Sequence, residues 1–185
     1  MKHRRLKRIL ALVMVGLFFV TFYSCSGFFS PERVTIRFLN RLSNGNIWAA
    51  ERLLLERTLN LDRRSAAIYR PLFRTMRFGV VDSQTHGGIA RVGVGVQTVD
   101  LELLMVEVSS EVTRIILTAG PQRTSRELFY IILQDRLREP DTLPMFNFSG
   151  TAQLVRVRGV WRIDLRGSDG LADAITGGMG GIIGY

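Results

Sequence analysis

The sequence predicts an α+β domain, with helices packed on an antiparallel sheet of about four strands. Three observations carry that expectation. Arg77 to Val99 and Phe146 to Leu165 each read as two strands joined by a Gly-containing turn. The stretches around them repeat apolar residues at intervals of three and four, the period of an amphipathic helix. Two of those helical stretches, about 101–138, fall between the hairpins. A chain of 185 residues fits one domain of this kind and is long enough to bury one core.

The N-terminus has a different character. Lys2, Arg4, Arg5, Lys7 and Arg8 precede the apolar run Ile9 to Val20, a basic segment followed by a hydrophobic one. The cations stay at the cytoplasmic face while the apolar stretch partitions into the bilayer and carries the rest across. A core helix of a soluble protein is not apolar on every face and led by five cations. Phe22-Tyr23-Ser24-Cys25-Ser26 resembles a bacterial lipoprotein signal, in which cleavage before the cysteine exposes it to a thioether-linked lipid. Ser24 is the small residue before the cut, whereas Phe22 and Tyr23 depart from the usual pattern. Ile9 to Phe29 is also an uncharged run of 21 residues, and about 20 span a bilayer, so an uncleaved anchor is a second outcome. Ordinary cleavage and release is the third. Segment 1–24 is thus read as signal peptide or membrane anchor and 25–29 as a lipidated tether. The domain itself is assigned to 30–167 and a Gly-rich tail to 168–185.

From Ser30 the elements follow in order. Ser30-Pro31-Glu32 supplies a cap, a residue that needs no amide hydrogen, and a carboxylate for the positive helix end. Val34, Phe38 and Leu42 then share one face, with Arg33, Arg37 and Arg41 on another. Asn44-Gly45-Asn46 stops this helix, and Asn46 caps the next, expected from Ile47 to about Arg57 with Trp48, Leu54 and Leu55 buried. A third helix is expected from Asp62 to about Tyr69, ended by Pro71. Strands follow at 77–85 and 89–99 around His86-Gly87-Gly88. In the second strand Ala90, Val92, Val94, Val96 and Thr98 line one face. Asp100 caps a helix to about Ala119, with Leu104, Val108, Val112 and Ile115 on one side. Thr124 or Ser125 starts another, through Leu128, Ile131, Ile132 and Leu137. The second hairpin turns at Arg158-Gly159. The tail from Gly170 is expected to be poorly ordered apart from a helical turn at Leu171–Ile175.

Both ends of this body carry a family likeness. Ser30-Pro31-Glu32, Phe38-Leu39 and Asn44-Gly45-Asn46-Ile47-Trp48-Ala49-Ala50 form one group. Thr151-Ala152-Gln153-Leu154-Val155-Arg156-Val157 and Gly159-Val160-Trp161-Arg162-Ile163-Asp164 form the other. Their order resembles that of bacterial lipoproteins with an NTF2-like (cystatin-like) domain, many of uncharacterised function. The resemblance implies a cone: a bent antiparallel sheet wrapped around N-terminal helices, with a pocket at its open end. Here a two-helix insertion lies between the hairpins. Some relatives are enzymes and others binding or assembly modules.

The residues themselves point away from catalysis. His86 is the one histidine of the exported body and sits at a turn, and Cys25 is the chain's one cysteine, so no metal site is expected. No nucleophile elbow, phosphate loop or dinucleotide fingerprint occurs, and no cofactor is expected. Gly93-x-Gly95 reads as room for close packing within a strand. Asp164 falls opposite Trp161 and Ile163 and reads as an exposed carboxylate. Phe38, Trp48, Val94, Val96, Leu154, Trp161 and Ile163 are the candidate core or pocket residues.

The net charge of +9 drops once the leader is set aside: five of the 25 cations precede the apolar run, leaving 20 arginines against 16 acidic residues. Those charges interleave, as in Glu51-Arg52 and Arg138-Glu139, so no nucleic-acid patch is expected. The expected role is an anchored, extracytoplasmic, non-catalytic module, partnered by the membrane and by a small ligand or envelope protein. The alternatives are an isomerase or hydrolase acting in the cone, and a single-pass protein with an uncleaved N-terminal helix.

The lipoprotein signal makes Cys25 the attachment point. Metabolic labelling with a fatty-acid analogue should mark the wild-type chain and not Cys25→Ser. Equal labelling of both would refute lipidation at this residue.

Overall fold

A computed structural model of the chain describes residues 30–57, 59, 63–119 and 124–178. The leader 1–24, the tether 25–29 with Cys25, and residues beyond 178 lie outside the described residues. The α+β expectation holds: N-terminal helices pack on an open four-stranded antiparallel sheet, with two helices inserted between its hairpins.

Helix α1 (Pro31–Ser43) begins as its sequence dictates. Ser30 is extended and its Oγ accepts from the Arg33 amide at 3.4 Å, with Pro31 at the first helical position. Val34, Phe38, Leu39 and Leu42 are buried, and the buried Thr35 hydroxyl donates to the Pro31 carbonyl at 3.0 Å. The helix ends in a Schellman motif, with Asn46 N donating to Arg41 O at 2.8 Å and Gly45 N to Leu42 O at 2.7 Å. Gly45 has φ +70, and a Cβ there would sit 2.6 Å from Arg70 Cγ, so the turn requires glycine twice over.

Helix α2 (Ile47–Glu51) is little more than one turn long and does not run to about Arg57 as expected. The chain leaves it because Leu53 to Leu55 take up pairing with Ile163: Leu55 N donates to Ile163 O at 2.7 Å, and Ile163 N to Leu53 O at 2.9 Å. In so short a helix Ile47, Ala50 and Glu51 make the buried stripe. Trp48 falls outside it and is 53% exposed, a correction to its place among the core candidates.

Helix α3 (Arg63–Thr75) runs straight through Pro71 instead of ending before it. An interior proline costs about 3 kcal/mol; here Ala66, Tyr69, Leu72 and Phe73 are buried around it, and the Tyr69 and Phe73 rings stack at 5.9 Å. Burial also pushes the Tyr69 phenol above its ordinary pKa.

The sheet runs β1 (Arg77–His86), β2 (Ile89–Val99), β3 (Met145–Val157) and β4 (Val160–Asp169), in that spatial order and antiparallel throughout. Its inner face holds Ala90, Val92, Val94, Val96 and Thr98 of β2, every one buried. Leu154 of β3 pairs with Ile163 of β4 on that face, and Trp161 lies there too, with the Arg156 guanidinium 5.8 Å above its ring. The β3–β4 turn has positive φ at both Arg158 and Gly159, the demand of a type I′ hairpin. Edge strand β1 carries a bulge between Val80 and Ser83, and Leu53–Leu55 cover the edge of β4.

Helices α4 (Leu101–Ala119) and α5 (Ser125–Arg136) form the insertion. Asp100 Oδ1 caps α4 by accepting from Leu103 N at 3.0 Å, and Thr124 with Glu127 makes a reciprocal capping box on α5. Leu104, Val108 and Val112 are buried as the spacing predicts. On α5 the fully buried residue is Leu133, whereas Ile131 is 38% exposed.

The helical turn expected at Leu171–Ile175 is present, but it is packed into the core and not part of a loose tail. β4 continues past Leu165, and helix α6 (Leu171–Thr176) buries Leu171, Ala172, Ala174 and Ile175 against β2, β3 and β4. Gly177 O accepts from Leu101 N at 3.1 Å, tying this end of the chain to the start of α4. Glycine-rich surroundings gave no sign that Leu171, Ala172, Ala174 and Ile175 are all inward.

The two tryptophans therefore separate packing from exposure. In the full chain, Trp161→Ala should cost about 3–5 kcal/mol, whereas Trp48→Ala should stay within about 0.5 kcal/mol. Thermal unfolding of both variants checks this, and equal losses would contradict the burial described.

Candidate functional site

A groove of about 700 Å³ opens where α3 ends, β1 begins, β2 ends and the α5–β3 connection passes. Arg74 lies in the last turn of α3, which closes with Thr75 Oγ1 donating to Leu72 O at 2.7 Å and Met76 N to Phe73 O at 3.1 Å. Arg77 is the first residue of β1, held opposite Gln97 by the sheet register. Arg138 and Asp141 come from the far side, beyond the end of α5 and in the 3-10 turn Pro140–Thr142. Leu143 is buried beneath that turn, and its amide donates to Pro140 O at 3.4 Å.

Three arginines thus line one groove, whose apolar residues are Met76, Leu137, Leu143 and Met145. Arg138 pairs with Asp135 at 3.0 Å; among the described residues neither Arg74 nor Arg77 has an ion-pair partner. A second recess of about 330 Å³ lies beside the first and shares Arg77 and Gln97 with it. Gly95, Asn147 and Ser149 also line it. Planar guanidiniums bind carboxylate or phosphate through parallel hydrogen bonds, and the apolar surface suits a hydrocarbon attached to that anion.

The residues singled out from the sequence lie elsewhere. Phe38, Val94, Val96, Leu154, Trp161 and Ile163 are in the core, and of these Val96 also lines the second recess. Trp48 is on the surface. Cys25 lies outside the described residues. His86 is exposed at the β1–β2 turn. Gly93 does provide close packing, since a Cβ there would run into the Asp82 carboxylate, but Gly95 faces open space. Asp164 is half-buried and not an exposed carboxylate: it accepts from Gln153 Nε2 at 3.3 Å and from Arg166 N at 3.1 Å. Among the described residues, no group of three or more His, Cys, Asp or Glu is placed to hold a metal ion.

Arg74, Arg77 and Arg138 were missed because each looks like solvated charge in isolation. The available signal was their position: each flanks a break between elements, where junctions converge in space.

No protein-family profile and no curated protein matches the chain. A solved structure of a protein proposed to be a lipoprotein of Bacillus subtilis is similar over 74% of this chain, with a TM-score of 0.41 and 14% identity. This chain spans 43% of the length of that protein.

Proposed function

We propose that the chain is a membrane-anchored, extracytoplasmic lipoprotein. Its domain works by binding a small anionic ligand or an anionic group on an envelope partner. The observation that carries this is the groove, where Arg74, Arg77 and Arg138 surround a patch of Met76, Leu137, Leu143 and Met145. The basic leader, apolar run and Cys25 support the anchored placement. The likeness of both ends to NTF2-like lipoproteins fits a pocket at one end of the sheet.

Binding needs no reactive residue, only charge and shape. Two arginines with no ion-pair partner among the described residues hold the anion, and the apolar surface beside them excludes water from its hydrocarbon. A charge-assisted hydrogen bond contributes about 1.5–3 kcal/mol, so losing one arginine should weaken binding by roughly tenfold or more.

Hexyl phosphate, hexanoate and hexanol serve as probes, titrated into the purified full chain by calorimetry. The two anions should bind and the alcohol should not. Arg74→Gln and Arg77→Gln should each lower anion affinity by roughly tenfold or more, with Tm unchanged. Equal binding of all three probes would remove the anion reading. Reproducible turnover of ester or steroid-like substrates, lost in Asp141→Asn, would replace binding with catalysis.

A further inference from the structure

We infer that the end of the sheet formed by the two hairpin turns docks on an anionic lipid bilayer. In that pose the sheet stands on its β1–β2 and β3–β4 turns. The inference rests on the anchored placement proposed above and adds an orientation to it.

The entry point of the chain fixes which end is near the membrane. Ser30 begins α1, and the next turn is pinned to the sheet because the Ser83 hydroxyl donates to the Glu32 carboxylate. That bond, with one to the Ser30 side chain, holds Glu32 below its ordinary pKa. Ser83 is three residues from His86 at the turn, about 10 Å along a strand. Between Cys25 and Ser30 lie five peptide steps, which span at most about 17 Å. With lipid on Cys25, or with an apolar anchor running to Phe29, the hairpin turns are within reach of the bilayer surface.

The composition of that end suits such a surface. Ile89 (48% exposed), Val157 (40%) and Val160 (40%) share the outer sheet face at the turns. The register brings them together: Ile89 opposes Val155, and Val157 opposes Val160. Exposed Arg91 and Arg158, with His86 and the partly exposed Arg162, surround these aliphatics, while Arg156 lies on the opposite face over Trp161. The acidic groups nearest this end are set further back. Asp164 lies two residues beyond Arg162 and is hydrogen-bonded to Gln153, Asp82 lies in the β1 bulge, and Glu32 is held by Ser83.

Three aliphatic side chains would not hold a free protein on a membrane. A tether changes this by turning docking into an intramolecular step, so that weak apolar insertion and a few cations suffice. Each arginine near an anionic surface favours docking by about fivefold, and salt screens the effect.

The test uses the full chain reconstituted in vesicles of phosphatidylethanolamine and phosphatidylglycerol containing a photoactivatable phosphatidylglycerol. Cross-linked peptides are mapped by mass spectrometry. Label is expected on peptides holding Ile89 and Val157–Val160, and not on α4 or α5. Arg91→Gln with Arg158→Gln should lower that label by about 25-fold, and phosphatidylcholine vesicles should lower it at least as far, while the chain still floats with the vesicles. A chain that floats but carries no label at the turns would overturn the docked orientation and leave the anchor intact. A chain that does not float would overturn both.

Discussion

Everything else in this structure depends on the one-sided burial of strand β2. Its inner residues Ala90, Val92, Val94, Val96 and Thr98 are all buried, while Arg91, Gly93, Gly95 and Gln97 look outward. A central strand with one apolar face commits its sheet to a single packed layer, because the other face offers too little apolar surface to bury. Helices α1 and α3 must then cover the inner face, and α6 fills what they leave. The outer face stays open, and both surfaces of functional interest lie on or beside it.

The same sheet has two chemically different ends. β1 spans ten residues from Arg77 to His86, about 30 Å of strand. At the Arg77 end the helical insertion, the α3 terminus and the 3-10 turn converge on an arginine-lined groove. At the His86 end two tight turns carry aliphatics and cations, and the start of α1 is tied to β1 nearby through Glu32 and Ser83. A domain standing on its turns would hold the groove away from the bilayer and open to solutes or to a neighbouring envelope protein.

Much of this fold was legible because local signals and tertiary packing agree. Ser30-Pro31, Asn46, Asp100 and Thr124 cap helices where their side chains predict. The alternation in β2 and the Gly turns define both hairpins. Legibility failed where distant contacts outvoted local preference. Pairing of Leu53–Leu55 with Ile163 cut α2 short and left Trp48 outside, and burial of Tyr69, Leu72 and Phe73 carried α3 past Pro71. The helical turn at Leu171–Ile175 was legible, but the burial of α6 was not. The groove was the least legible feature, since Arg74, Arg77 and Arg138 are brought together by topology alone. No period or spacing in one sequence marks residues that meet across 61 positions of chain.

Hydrogen exchange on the full chain in phosphatidylethanolamine–phosphatidylglycerol vesicles, with and without hexyl phosphate, tests the account most directly. Binding in the groove predicts slower exchange in peptides covering Arg74–Arg77 and Leu137–Met145, with the hairpin turns unchanged by the ligand. Protection confined to the turns, or none at saturating ligand, would contradict it.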